Sequence, residues 1–270
     1  MVSILGCGWL GLPLAKKLVE KGYQVNGSVR NESKFSALQA VGVQPFIVRL
    51  DPEISGDDLP TFFSASILII DFPPERRADI ESYLLAQVKS LVKTINSSKI
   101  EQVLFISSTS VYPDLNREVF EDEKLAPEKG SGKALKLAED YLLSQPGFTT
   151  TVIRFGGLVG SDRKPGRFLA GRKDVPGARS PINIIHQDDC IALICELLGQ
   201  EAWGGIYNAV SDKHPEKSIF YQRMAIQQGF EPPEFSIEGS ESYKIVNSEK
   251  IKTRLNFKFK FPDPMQLFLE

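Results

Sequence analysis

Residues 1–11 read MVSILGCGWLG, and LPLAKKLVEK follows as residues 12–21. A short apolar run comes first, then glycines at 6, 8 and 11 in the spacing G-x-G-x-x-G. Next comes a segment in which Leu14, Leu18 and Val19 share one face of a 3.6-residue period. This is strand, tight turn, helix. Pro13 falls in the first helical turn, where its missing amide hydrogen has no helical partner to lose. In that setting the glycines have separate uses: one lets the chain turn, one lets backbone approach a pyrophosphate, and one lets the helix pack on the strand. The helix N-terminus then offers amides to the phosphate. The stretch predicts the first βαβ unit of a dinucleotide-binding fold.

Outward from that unit, strand candidates recur at VSILG, YQVNGSV, PFIVRL, SILIIDF, QVLFISS and TTTVIRF, separated by helix-period segments. In one of these Ile80, Leu84, Val88, Leu91 and Ile95 share a face. Such alternation predicts α/β architecture, a Rossmann-type doubly wound parallel sheet with helices on both sides. After Gly160 the stretch GSDRKPGRFLAGRKDVPGARSP lacks periodicity and reads as loop. A helix over QDDCIALICELLG, a strand over GIYNAV and a helix around SIFYQRMAIQQGF follow. The expected division is a dinucleotide-binding domain over residues 1–155, with 185–209 completing its sheet. A small C-terminal substrate lobe is expected from 156–184 and 210–270.

Composition narrows the partners. The chain has 270 residues, 42% of them hydrophobic, enough for a sizeable core. With 32 basic and 34 acidic residues and a formal charge of -2, no chain-wide field favours nucleic acid or a membrane surface. A small-molecule substrate is the expected partner, with the chain a monomer or homodimer. Cys7, Cys190 and Cys195 do not make a disulfide framework, and with only His186 and His214 no conventional metal cluster is expected. The apolar stretch Ile4 to Ala15 has no basic residue before it and contains three glycines and a proline, so it is not read as a secretion signal; a cytoplasmic protein is expected.

The end of the second strand bears on the cofactor. An NAD site wants an Asp or Glu about 20 residues past the glycines to hold the ribose 2′-hydroxyl. Val29 and then Arg30 stand there. A guanidinium binds a 2′-phosphate through charge-assisted bonds, so NADP is expected rather than NAD.

Five segments in order, GCGWLG, FISSTSVYP (105–113), RFGGLVG (154–160), INIIHQDDC (182–190) and GGIYNAVSD (204–212), resemble the extended short-chain dehydrogenase/reductase superfamily, the NAD(P)-dependent epimerase/dehydratase group. The likeness runs over nearly the whole chain and extends to an atypical bacterial subgroup. It implies cofactor contacts from Gly6, Gly8, Trp9, Leu10, Gly11, Arg30, Asp51, Phe72, Pro73, Ser107, Phe155 and Leu158. It also implies a catalytic hydroxyl at Ser108 and substrate contacts from Tyr112, Arg163 and Arg167 on an anionic or nucleotide-sugar-like substrate.

The resemblance breaks at the proton shuttle. The family pairs a tyrosine with a lysine four residues later, and none of the seven tyrosines here has one. Anchoring on Lys133 puts Lys129 in the tyrosine place. Anchoring on the helix acid Glu139 puts Ser131 there and Leu135 in the lysine place, and this second register is preferred. Three readings stay open: an NADP-dependent oxidoreductase or epimerase/dehydratase-like enzyme with an altered acid/base, a non-catalytic NADP-binding redox sensor or regulatory protein, and a structural protein with an empty Rossmann site. Tyr112 is expected to pack rather than shuttle protons, and His186 to fasten the start of the helix that follows it.

Overall fold

The computed structural model describes residues 1–124, 126–236 and 242–267. The elements in chain order are β1 (Val2–Leu5), α1 (Gly11–Glu20), β2 (Val25–Val29), α2 (Phe35–Gln39), β3 (Gln44–Asp51), β4 (Glu53–Gly56), α3 (Leu59–Phe62), β5 (Ile67–Ile70) and α4 (Ile80–Asn96). The chain continues through β6 (Gln102–Ser108), β7 (Glu118–Val119), α5 (Gly130–Leu143), β8 (Thr149–Phe155), β9 (Gly157–Val159), β10 (Ile184–His186) and α6 (Gln187–Gly199). It closes with β11 (Gly205–Ala209), α7 (Lys217–Gln227), β12 (Ile245–Val246) and α8 (Glu249–Leu255).

Eight strands form one sheet in the order β11-β8-β6-β5-β1-β2-β3-β4. β1 pairs in parallel with β2 and with β5, β2 with β3, and β5 with β6. The antiparallel partner β4 hairpins back from β3 through the pairs Asp51 with Glu53 and Val48 with Gly56. The chain thus leaves β1 in one direction, builds β2 and β3, and returns to start β5 on β1's other side. That reversal makes the C-terminal ends of β1 and β5 the crevice where open α/β sheets bind ligands. The Rossmann-type α/β architecture read from the sequence is the one observed.

Burial explains the strand patterns. All four residues of β1 and all five of β2 are buried, as are Leu68, Ile69 and Ile70 of β5, so these strands read as apolar or small runs rather than alternating ones. In α1 the buried residues are Gly11, Leu14, Ala15 and Leu18, with lysines on the outer face. In α4 the stripe Ile80, Leu84, Val88, Leu91 and Ile95 is buried throughout.

The chain divides into two compact units. The first comprises residues 1–111, 126–154 and 194–206; the second comprises 112–125, 155–193 and 207–270. Within the second, β9 pairs in parallel with β10 and β7 with β12. Its apolar centre is Val159, Ile182, Ile184, Phe220, Met224 and Leu267. Residues 160–181 are largely without regular structure, apart from a 3-10 turn at Pro165–Arg167.

Candidate functional site

The glycine loop joins β1 to α1, and its three glycines have different surroundings. Gly6 has φ of 111°, and a β-carbon there would sit 2.1 Å from the Asp71 carbonyl oxygen. At Gly11 a β-carbon would sit 2.2 Å from the Gly6 carbonyl oxygen, so the helix start lies directly on the turn. At Gly8 it would meet nothing within 4 Å. Gly6 lets the loop pack on the backbone after β5, Gly11 lets the helix start pack on the loop, and the middle glycine leaves its outer side open to an approaching ligand. The N-terminal cap of α1, Leu10, is buried and carries no side-chain cap, so the helix end presents backbone amides.

A carboxylate that the sequence reading passed over lies beneath this loop. Asp71 directly follows β5, its backbone amide donates to the Leu5 carbonyl at 2.9 Å, and its carboxylate accepts the Gly11 amide. Burial pushes Asp71 up to about 7, and the Gly11 amide pulls the other way. Cys7 is buried beside it; burial first and Asp71 second raise that thiol to about 12. Cys195 is also raised by burial.

Beside the loop a cavity is lined by Leu5, Gly6, Ser28, Val29, Arg30, Val48, Leu50, Phe72 and Gln87. It lies at the ends of β1, β2 and β3, with one wall from Phe72 beyond β5. Of the residues expected to bind cofactor, Gly6, Arg30 and Phe72 come together here. The Ser28 hydroxyl accepts the Gly6 amide at 3.0 Å, and Gln87 donates to the Leu50 carbonyl at 2.6 Å, so two polar side chains stiffen the walls. The Arg30 side chain is 70% exposed and paired with Glu75 at 3.1 Å. Arg49 Nε donates to the Arg30 carbonyl at 3.1 Å.

The other expected cofactor residues of the first unit are placed as follows. Asp51 ends β3 and accepts the Tyr83 hydroxyl at 2.6 Å. Trp9 is half-buried in the glycine loop, and Pro73 is exposed after Phe72. Ser107 is buried and donates to Glu139 Oε1 at 2.5 Å. Phe155 is buried at the end of β8, and Leu158 pairs with Ile185 between β9 and β10; both belong to the second unit.

Ser108 ends β6, and its hydroxyl accepts the Ser110 amide at 3.1 Å, closing the strand into a 3-10 turn at Thr109–Val111. The helix that would carry the family's tyrosine and lysine is α5. In the preferred register its Ser131 is exposed and its Leu135 is buried at 3% exposure. Lys133 and Lys129 are exposed. α5 also comes very close to the turn after β6: a β-carbon on Gly132 would sit 2.3 Å from the Ser110 carbonyl oxygen. Gly132→Ala is therefore expected to cost about 1–3 kcal/mol of unfolding free energy by overpacking, read from urea denaturation midpoints. A neutral or stabilising result would show that α5 can move outward freely.

α5 is tied to the sheet by a buried ion pair. Arg154 of β8 meets Glu139 through Nη2 to Oε2 at 2.6 Å and Nε to Oε1 at 3.1 Å, with both side chains essentially inaccessible.

In the second unit, Tyr112 is buried and its hydroxyl donates to Asn208 Oδ1 at 2.8 Å, a packed and hydrogen-bonded tyrosine. Lys244 donates to the Tyr112 carbonyl at 2.9 Å and pairs with Asp114 at 2.7 Å. His186 Nδ1 accepts the Asp188 amide at 3.2 Å at the start of α6, its ring lies 4.2 Å from that of Phe261, and burial lowers its pKa. The neutral ring thus fastens the helix start. Asp189 accepts the amides of Lys260 and Phe261 at 2.6 and 3.0 Å, pinning the C-terminal segment. Arg163 and Arg167 are exposed on the loop after β9. Lys173 is paired with Glu234 and lies 3.8 Å from Glu231. Among the described residues no group of three or more His, Cys, Asp or Glu side chains is arranged to hold a metal ion, and no helix is long and apolar enough to cross a membrane.

The family described as NAD(P)H-binding matches residues 6–198. The chain belongs to that family. It is also 37% identical over 273 residues to Protein YeeZ of Escherichia coli K12, covering 100% of this chain and 99% of that protein. Among solved structures, a short-chain dehydrogenase/reductase superfamily protein from Agrobacterium tumefaciens with bound NAD superposes with a TM-score of 0.77 at 19% identity, over 98% of this chain and 94% of the other. The UDP-glucose 4-epimerase of Thermotoga maritima with UDP-glucose gives 0.78 at 16% identity, over 98% and 96%. These two solved structures share the fold of this chain.

Proposed function

We propose that this member of the NAD(P)H-binding family takes NADP(H) in the cavity at the ends of β1, β2 and β3. There, we propose, it acts as an oxidoreductase or epimerase/dehydratase-like enzyme on a small anionic or nucleotide-sugar-like substrate. The observation carrying the cofactor choice is Arg30, which lines the cavity where an NAD site would place a carboxylate. A nicotinamide cofactor supplies hydride transfer when bound; the chain's own residues bind and orient it. Gly6, Gly8 and Gly11, with the amides of α1, would receive the pyrophosphate, and Val29, Arg30 and Phe72 the adenosine end. Ser108 is proposed as the hydroxyl that hydrogen-bonds the reacting oxygen. Separately, Arg163 and Arg167 are proposed as contacts for an anionic group.

The acid/base set is reduced. Leu135 neither holds a ribose nor lowers a neighbouring pKa, and the serine hydroxyl at 131 is far too weak an acid to replace a lysine-tuned phenol. This observation favours a second reading, a non-catalytic NADP(H)-binding redox sensor or regulatory protein. In that case sensing would work through cofactor occupancy, because Cys7 stays a thiol well above physiological pH.

The test is NADPH oxidation by purified protein against pooled aldehydes, ketones and sugar nucleotides. The enzyme reading expects slow turnover without a tyrosine-like titration near neutrality, and further loss in Ser108→Ala. Tight NADPH binding with no turnover on any pool overturns the enzyme reading in favour of the sensor.

A further inference from the structure

One carboxylate stands where a 2′-phosphate site would want none. Glu75 lies in the segment between β5 and α4, three residues beyond the cavity-lining Phe72. One of its oxygens accepts from Arg30 Nη2 at 3.1 Å, and the other is 4.0 Å from Arg77 Nη1. Arg77 is itself held in place: Asp79 accepts from its Nε and Nη2 at 2.8 and 3.0 Å, and its guanidinium stacks 3.6 Å from the centre of the Tyr83 ring. Arg30 is steadied from behind by Arg49, which donates to its carbonyl. A carboxylate lying between two guanidiniums, one of them the cavity-lining Arg30, has the arrangement a phosphate would take, since both anions accept from the planar guanidinium fork.

We propose that Glu75 is the cofactor-specificity residue of this site. Its carboxylate occupies Arg30 in the free protein and is displaced by the 2′-phosphate, which limits the affinity for NADP(H) and leaves NAD(H) unaffected. This rests on the reading of Arg30 as the 2′-phosphate contact. The exchange is physically easy, because the Arg30 and Glu75 side chains are 70% and 34% exposed and exposed pairs are weak. The displaced carboxylate stays near the incoming phosphate, however, and like charges at such separations repel by an amount that salt screens.

Calorimetric titration of NADPH and NADH at low salt into the native chain, Glu75→Gln, Arg30→Ala and the double variant tests this. Glu75→Gln is expected to tighten NADPH by about fivefold, the scale of one exposed charge contact. It should leave NADH unchanged, and the gain should shrink in the Arg30→Ala background and at high salt. Glu75→Gln is isosteric and half-exposed, so folding is not at stake. Native-like NADPH affinity in Glu75→Gln overturns the proposal while the cofactor reading stands. So does a weakening of NADH alone, which would make Glu75 an acceptor for a ribose hydroxyl. If the native chain binds neither dinucleotide, the cofactor reading itself is overturned.

Discussion

Glu139→Ala is expected to lower the unfolding free energy by about 3–5 kcal/mol, as measured by urea denaturation with the slope of the transition unchanged. Glu139 and Arg154 are 0% and 1% exposed, and the pair ties α5 to β8 while Ser107 ties it to β6. Removing the carboxylate leaves a guanidinium in the interior without its counter-charge, which costs far more than the pair's net contribution when intact. Because a domain's whole stability is about 5–15 kcal/mol, the variant is expected to be marginal near body temperature. A loss below about 1 kcal/mol for Glu139→Ala would mean that water reaches the pair and that α5 is not held as described.

The second large effect is a pH dependence centred on Asp71. Its carboxyl is raised from 3.8 to about 7 in the folded chain, with burial the dominant cause. A group whose folded pKa is raised stabilises fully below its unfolded pKa, and that contribution is lost as pH rises through the folded value. The full difference corresponds to about 4 kcal/mol, of which about 2–3 kcal/mol is lost between pH 5 and pH 8. His186 and His214 are lowered by burial and act in the opposite sense, their contribution being lost as pH falls below the ordinary histidine range. The clean measurement is therefore the difference between native chain and Asp71→Asn across this range, in the absence of cofactor. Asp71→Asn is expected to gain on the native chain steadily from pH 5 to pH 8. A difference independent of pH would show that Asp71 is ionised throughout.

Much of the fold was legible because parallel strands buried on both faces leave continuous apolar runs, and all six candidates of the dinucleotide-binding half appear as β1, β2, β3, β5, β6 and β8. The hairpin strand β4 was missed. Its residues Glu53, Ile54, Ser55 and Gly56 are short, half-buried or exposed, and without the β-branched run that marks a strand. The short strands β7, β9, β10 and β12 escaped for the same reason, since two or three residues carry no period.

At the site, the glycine spacing announced the turn because only glycine tolerates the carbonyl contacts at positions 6 and 11. Asp71 was hidden inside the strand candidate SILIIDF, next to its last residue Phe72. The available signal was a lone carboxylate closing an otherwise apolar run at the switch of strand order. Arg154 gave a similar signal inside TTTVIRF: a charge in a buried strand requires a partner, and Glu139 is that partner. Glu75 had no local signal at all, because its meaning depends on Arg30, 45 residues earlier, folding beside it.

Arg30 is proposed to take the cofactor's 2′-phosphate, and isothermal titration of NADPH and NADH into the native chain and into Arg30→Ala tests this most directly. Tighter binding of NADPH is expected in the native chain. In Arg30→Ala that preference should fall by about 1.5 kcal/mol, the lower end for a charge-assisted contact because Arg30 is largely exposed. Equal affinities for the two dinucleotides in the native chain would contradict it.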